Sequence, residues 1–218
     1  MWTGFAARAR ILIVNDEKLK PADRPKSYRD LIAPKYRGQC VIAKPLAGTT
    51  ATHMIALFQV LGEEPARTFL TQLASDIGIA PGNAHVMRQV REGVAAWGFT
   101  DTDDFWVAKS EGAKVSAVYP DQGEGEIGTL VLPNTVALIK HAPDAENGKR
   151  LIDYLLSDEV EQRLAAGRSA QIPLHPGVAR PDHVKAPGKD FRAMKVDFQA
   201  LVSERAQRLD QLKAWFLK

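Results

Sequence analysis

The apolar positions of the chain fall into short blocks whose spacing changes from one block to the next. Arg8 to Val14 ends in the run Ile11-Leu12-Ile13-Val14 and is stopped by Asn15-Asp16-Glu17, which predicts a strand. Asn15 to Pro25 is a polar connection containing proline. Ser27, with Asp30 three residues on, predicts an N-cap and a short helix through Ile32 that Pro34 ends. Cys40 to Lys44 predicts a second strand; its Cys40-Val41-Ile42-Ala43 run suits a sheet covered on both faces. Met54, Ile55, Leu57, Phe58 and Leu61 then follow the helical repeat, with Gly62 as the stop. Pro65 sits in the first turn of another helix carrying Phe69, Leu70 and Leu73. Ile77 to Ala80 reads as a short strand, and Asn83 opens a helix with Val86, Met87 and Val90 that ends at Gly93. Ala95 to Thr100 is a strand, Asp101 to Glu111 a turn and helix, and Val115 to Tyr119 a strand. Strand and helix thus alternate over residues 27–119, the pattern of an α/β fold with a mostly parallel sheet.

After Tyr119 the alternation stops. Asp121 to Gly128 is a loop with Gly123, Gly125 and Gly128. Thr129 to Leu132 and Val136 to Ile139 read as two strands around Pro133. Helices follow over Ala145 to Leu156 and Glu159 to Ala166. Residues 167–195 show little periodicity and contain Pro173, Pro176, Pro181 and Pro187. A last amphipathic helix carries Phe198, Leu201, Val202, Leu209, Leu212 and Phe216 on one side.

Composition narrows the function classes. The 218 residues are 45% hydrophobic and 25% charged, enough for one large domain or two small ones with a real core. The net charge of +3 is too balanced for a nucleic-acid binder, which concentrates basic residues in a stripe. The single cysteine, Cys40, excludes an internal disulfide framework and reads as a small buried hydrophobe. No apolar run approaches the length of a membrane span, and Ile11 to Val14 is too short for the core of a secretion signal.

Candidate chemistry lies where predicted strands meet helices. Gly48-Thr49-Thr50 stands at a helix start after a strand, where unpaired N–H groups and the positive end of the dipole suit an anion or carboxylate. A plain threonine-capped helix is the other reading. The Gly-Lys-Ser/Thr ending of a nucleotide loop is absent. Thr100-Asp101-Thr102-Asp103-Asp104 follows a predicted strand and offers oxygen ligands to a hard cation, or partners to a solute's hydroxyls or ammonium. Helix capping is the alternative there, as it is for Asn83. Trp97 and Trp106, which flank the acidic cluster, read as core residues. The five histidines form no metal-binding pair, and neither a Gly-x-Ser-x-Gly elbow nor a Gly-x-Gly-x-x-Gly fingerprint occurs.

Six strings, in order, resemble the bacterial extracellular solute-binding proteins of ABC transporters, and the ferric-iron-binding branch most. They are Gly4 to Arg10, Pro34 to Gly38, Gly48 to Thr52, Thr100 to Asp104, Pro133 to Leu138 and Leu155 to Val160. The resemblance implies an α/β fold of periplasmic-binding-protein type, two lobes joined by crossover strands and closing on a ligand by a hinge. Residues 12–118 would be one complete lobe, the family's second. Residues 1–11 and 119–218 would be a crossover strand and a partial first lobe with C-terminal helices. The family begins with a signal peptide and most of the first lobe, which this sequence does not contain. That implies a fragment, a misplaced gene start or an adapted fold, and an incomplete lobe open to self-association.

By resemblance, Arg8, Gly48, Thr49, Thr50 and Asn83 would meet a companion anion, with Thr100 and Asp101 contacting ligand. Thr102 and Asp103 stand where many ferric-binding members carry adjacent tyrosines, and no tyrosine occurs between Tyr36 and Tyr119. The implied function is a non-catalytic, periplasmic or extracellular binding component of an importer. It would carry ferric iron as its ligand with a companion anion, or a small organic anion without metal, and hand it to a membrane permease. No cofactor is implied. A metal-dependent enzyme acting on a phosphorylated small molecule through the acidic cluster is the alternative, and a ligand-sensing domain a third class.

Overall fold

The computed structural model describes residues 2–217. Along the chain come β1 (Thr3–Asn15), β2 (Cys40–Ala43), α1 (Gly48–Leu61), α2 (Glu63–Asp76), β3 (Gly78–Ala80), α3 (Asn83–Arg91), β4 (Trp97–Asp101), α4 (Thr102–Ser110), β5 (Val115–Val118), β6 (Val131–Val136), α5 (Ala145–Leu155), α6 (Asp158–Ala166) and α7 (Phe198–Phe216). The short helix predicted after Ser27 is a 3-10 turn, Tyr28–Ile32, closed by a capping box between Ser27 and Asp30.

β1 is the spine. Its second half lies inside a sheet of order β3-β2-β4-β1-β5. β2 is parallel to both β3 and β4, while β1 is antiparallel to β4 and β5, so β1 alone runs against the common direction. Side chains alternate across β1. Leu12 and Val14 enter one core with Met54, Leu57, Trp97 and Phe99. Ile11 and Ile13 enter another with Val41, Val86, Val90 and Phe105 on the opposite face. The unbroken run Ile11 to Val14 has this cause: both faces are covered. Gly98, in the middle of β4, lets α3 approach, since a Cβ there would lie 2.5 Å from the Val86 side chain and 2.9 Å from the Val41 carbonyl. Cys40 is buried in β2, as its sequence predicts, and burial pushes its thiol up to about 12.

The first half of β1 leaves that sheet and pairs with β6. Two strands were expected around Pro133, and one forms, running through it. β6 is paired on one side only, the edge position that tolerates proline. The expected strand Val136 to Ile139 stops at Val136, and Ile139 is 78% exposed. Opposite Pro133, β1 is bulged: Ala6 has a left-handed φ of 44°, and its N–H points out of the ladder. It donates to Glu161 Oε1 at 2.7 Å. The same fully buried carboxylate accepts the N–H groups of Leu174 (3.0 Å) and His175 (2.8 Å). Burial works against its charge, but these backbone donors outweigh that and hold the carboxyl below its ordinary range.

α7, grouped by the sequence with residues 119–218, crosses over to cover α1 and α2. Phe58 and Trp215 stack with centroids 6.4 Å apart, Arg208 lies 4.1 Å over Phe58 and bonds Glu63 at 2.7 Å, and Leu201 and Leu212 are buried beside Leu57.

Glu161→Ala leaves the buried Ala6 N–H without a partner, at a cost of about 1–3 kcal/mol, and releases the part-buried Leu174 and His175 N–H groups. Urea denaturation at pH 7 is expected to show a loss of that order, smaller for Glu161→Gln. Because the folded carboxyl titrates below its unfolded value, the wild-type advantage over Glu161→Gln should shrink as pH falls through the carboxylate range. A Glu161→Ala protein as stable as wild type would show that the bulge does not need this anchor.

Candidate functional site

The parallel strands β2, β3 and β4 end at one edge of the sheet, and each feeds a helix there: α1, α3 and α4. No side chain caps any of the three N-termini, which follow Ala47, Gly82 and Asp101. Unpaired backbone N–H groups and the positive ends of three dipoles therefore gather at one place. Gly48 has φ 61°, which only glycine adopts without strain, and a Cβ there would meet nothing within 4 Å.

The residue that organises this edge is Arg10. It lies directly across from Asp101 in the β1–β4 register, on the same face, and both are buried. Arg10 Nη1 donates to Asp101 Oδ1 at 2.8 Å. Asp101 Oδ2 accepts the Thr49 hydroxyl (2.7 Å) and the Asn83 amide (2.8 Å). Arg10 also reaches the Thr49 and Thr50 hydroxyls, each at 3.2 Å, and Asn83 Oδ1 at 3.3 Å. Thr50 in turn donates to Asn83 Oδ1 at 3.1 Å. Beneath them Phe99 carries the guanidinium 4.3 Å from its ring on one side and the His53 ring, edge-on at 4.8 Å, on the other. Burial, then the nearby Arg10 charge, pushes the His53 pKa down, so the imidazole is neutral.

The sequence-predicted residues all come to this edge, but in different roles. Thr49, Thr50, Asn83 and Asp101 turn their side chains inward onto Arg10 and each other. What they leave outward is backbone. Thr100 donates its hydroxyl to Asp104 Oδ2 at 2.8 Å. Thr102 is buried, and its hydroxyl accepts the Ala9 N–H at 3.1 Å, facing β1. Asp103 is half-buried with Oδ2 3.5 Å from Arg8 Nη1, and Arg8 also bonds Asn134. Trp97 is core, packed on Tyr36, and Trp106 packs on Phe105 and His183. Sequence reasoning missed Arg10 and, on α7, Arg205. The signal for Arg10 was available: it stands two residues after Arg8, hence on the same face of the strand, immediately before an apolar run. Nothing local marks Arg205.

Arg8, Gly48, Thr49, Asn134 and Arg205 border an open hollow of about 450 Å³. Behind Arg8, which faces Asp103, carboxylate oxygens of Asp101, Asp103 and Asp104 lie within 4.8 Å of one another. Burial, then the Asp103 charge, raises Asp104 to about 6, and burial with the Asp101 charge raises Asp103. Both Asp101 oxygens are already taken by Arg10, Thr49 and Asn83. A hard cation would therefore have to share Asp104 with the Thr100 hydroxyl and Asp103 with the Asp104 N–H and Arg8.

The profile of the bacterial extracellular solute-binding proteins matches residues 1–197. The chain belongs to this family. It is 28% identical over 193 residues to iron uptake protein A2 of Synechocystis, covering 82% of this chain and 54% of that protein. It is 28% identical over 156 residues to a putative 2-aminoethylphosphonate-binding periplasmic protein of Salmonella typhi, covering 70% of this chain and 46% of that protein. Iron-bound HitA of Pseudomonas aeruginosa shares the fold with a TM-score of 0.83 at 24% identity, over 97% of this chain and 69% of that one. The chain thus spans about half the length of the curated relatives it matches, and an incomplete second lobe fits that coverage. Family members are periplasmic or extracellular and work with an ABC permease, and the Salmonella relative is named as a binding protein. Among the described residues no helix is long and apolar enough to cross a membrane.

Removing one member of the buried pair should be costly: Asp101→Ala strands Arg10 and is expected to lower stability by about 3–5 kcal/mol in urea denaturation. The double variant Arg10→Met/Asp101→Leu should lose less than Asp101→Ala alone, and an equal or larger loss would contradict the stranded-charge account. Asp104 has the opposite sign to an ion-paired acid. Its folded pKa lies above the unfolded value, so folding loses free energy as pH rises from about 4 to 6. Asp104→Asn keeps an acceptor for Thr100. It should raise the melting temperature by an amount that grows over this window and levels off above it, as read by calorimetry at several pH values. A pH-independent difference would contradict the raised pKa.

Proposed function

We infer that this chain forms the solute-gripping part of an importer's binding protein and that its solute is a small organic anion. A phosphonate, phosphate ester or carboxylate would rest on the backbone N–H groups at the start of α1, with Arg8 and Arg205 on its flanks. The observation that carries this reading is the inward turn of Thr49, Thr50, Asn83 and Asp101. Their polar atoms satisfy Arg10 and one another, which leaves the uncapped start of α1 as the donor group facing the hollow. Such donors suit an anion and have nothing to offer a bare cation. Asp103, which lies against Arg8 at the border of the hollow, suits an ammonium on the same solute. The Salmonella relative's name, 2-aminoethylphosphonate-binding, describes a solute with both groups. Bound solute would be delivered to the permease, with no chemistry performed on it.

Ferric iron is the second reading, favoured by the acidic cluster and by the iron uptake relative. It requires iron to bind through Asp103 and Asp104 without phenolate ligands.

Calorimetric titration separates the two. 2-Aminoethylphosphonate is expected to bind and raise the melting temperature. Arg8→Gln should weaken it about tenfold, the loss of one charge-assisted bond to the anion. Asp103→Ala should weaken 2-aminoethylphosphonate more than it weakens methylphosphonate. No response to any phosphonate, phosphate or carboxylate, together with tight binding of ferric citrate, would replace this reading with the iron one.

A further inference from the structure

The hollow at the start of α1 continues into a second space, a groove of about 240 Å³ between α1 and α7 over β6. Thr52, Leu132, Pro133, Thr135 and Arg205 line both, so the two are one continuous surface. The groove is built from two helix faces. Gly48, Thr52 and Ile55 follow one another up one side of α1, and Phe198, Val202 and Arg205 up one side of α7. Trp2 closes the far side.

The combined surface is divided by charge. Arg8, Arg205 and the uncapped start of α1 lie at one end. The other end is walled by Trp2, Ile55, Phe198 and Val202, and Arg205 is the one charged residue that borders the groove. Arg205 makes no ion pair or side-chain hydrogen bond among the described residues, so its charge is free for a ligand. Trp2 is 41% exposed and Val202 65%, apolar surface that water covers.

We propose that this groove takes the apolar body of an organic anion whose acid group sits at the start of α1. The ligand class is then an alkyl or aryl phosphonate, phosphate ester or carboxylate. The proposal rests on the anion reading above and narrows it. Charge complementarity selects this occupant: a cationic or uncharged apolar ligand would leave the arginine end unpaired. Length agrees, since the seven steps from Gly48 to Ile55 rise about 10 Å along α1, close to a hexyl chain with its acid group. A solute with only a small acid and an ammonium would leave the groove in water.

The test is calorimetric titration of the full chain with methyl-, butyl- and hexylphosphonate. Each methylene that enters the groove should tighten binding roughly three- to fourfold. Hexylphosphonate should therefore bind at least about tenfold more tightly than methylphosphonate, even if only part of the chain is covered. In Trp2→Gln/Val202→Gln the hexyl-to-methyl affinity ratio should fall toward one. Measurable methylphosphonate binding with no gain along the series overturns the groove proposal and leaves the anion reading standing. No binding of any of the three overturns the groove proposal, and the anion reading is then decided separately by the titrations with 2-aminoethylphosphonate, phosphate and carboxylates. Light scattering at the titration concentration supplies the remaining outcome. A dimer that Val202→Gln dissociates would assign the groove to a second copy of the chain and overturn the proposal.

Discussion

The ion pair between Arg10 and Asp101 is the constraint on which the site depends. Two charges sit in a nearly dry interior, a position that costs several kcal/mol per ion unless every polar atom around them is used. Most are used. The guanidinium reaches Asp101, Thr49, Thr50 and Asn83, and the carboxylate accepts from three donors. The pair therefore locks the middle of β1 and the end of β4 to the first turns of α1 and α3. A slip of one residue between β1 and β4 would send Arg10 to the other face of the sheet and strand both charges, so the pair also specifies register.

The same economy decides what the site offers a ligand. A hydroxyl or amide at a helix start has two uses: to cap the helix or to face solvent. Here Thr49, Thr50 and Asn83 do neither, because a buried charge behind them has the stronger claim. The helix ends stay uncapped because the residues before α1 and α3, Ala47 and Gly82, carry no polar side chain, and the N–H groups at the start of α1 are the donors proposed for an anion. The acidic side is set by the same pair. Arg10 fixes the position of Asp101, whose charge adds to burial in raising Asp103 and Asp104. A single ion pair thus shapes both the basic and the acidic walls.

β1 connects this site to the rest of the molecule. Its second half is covered on both faces by two cores; its first half, after the bulge at Ala6, pairs with β6 and is anchored by Glu161. α7 reaches back over α1 and α2 and brings Arg205 to the border of the hollow. Residues from the chain's beginning, middle and end therefore meet within one cleft.

Periodicity alone marked nearly every element from Arg8 to Tyr119, because each strand buried on both faces writes an apolar run and each helix a 3.6-residue repeat. It also marked Gly48-Thr49-Thr50, Asn83 and Thr100 to Asp104 as strand-to-helix joints, where chemistry gathers in a parallel sheet. It misjudged the stretch around Pro133, since an edge strand keeps a proline that a central strand would expel. The partners of each joint residue were beyond its reach. Whether Thr49 faces a ligand or an arginine depends on a residue 39 positions away, placed by strand register. Local sequence determines local structure through short-range sterics and burial. The pairing of charges across strands, and the arrival of Arg205 from α7, are long-range contacts that only the folded chain decides.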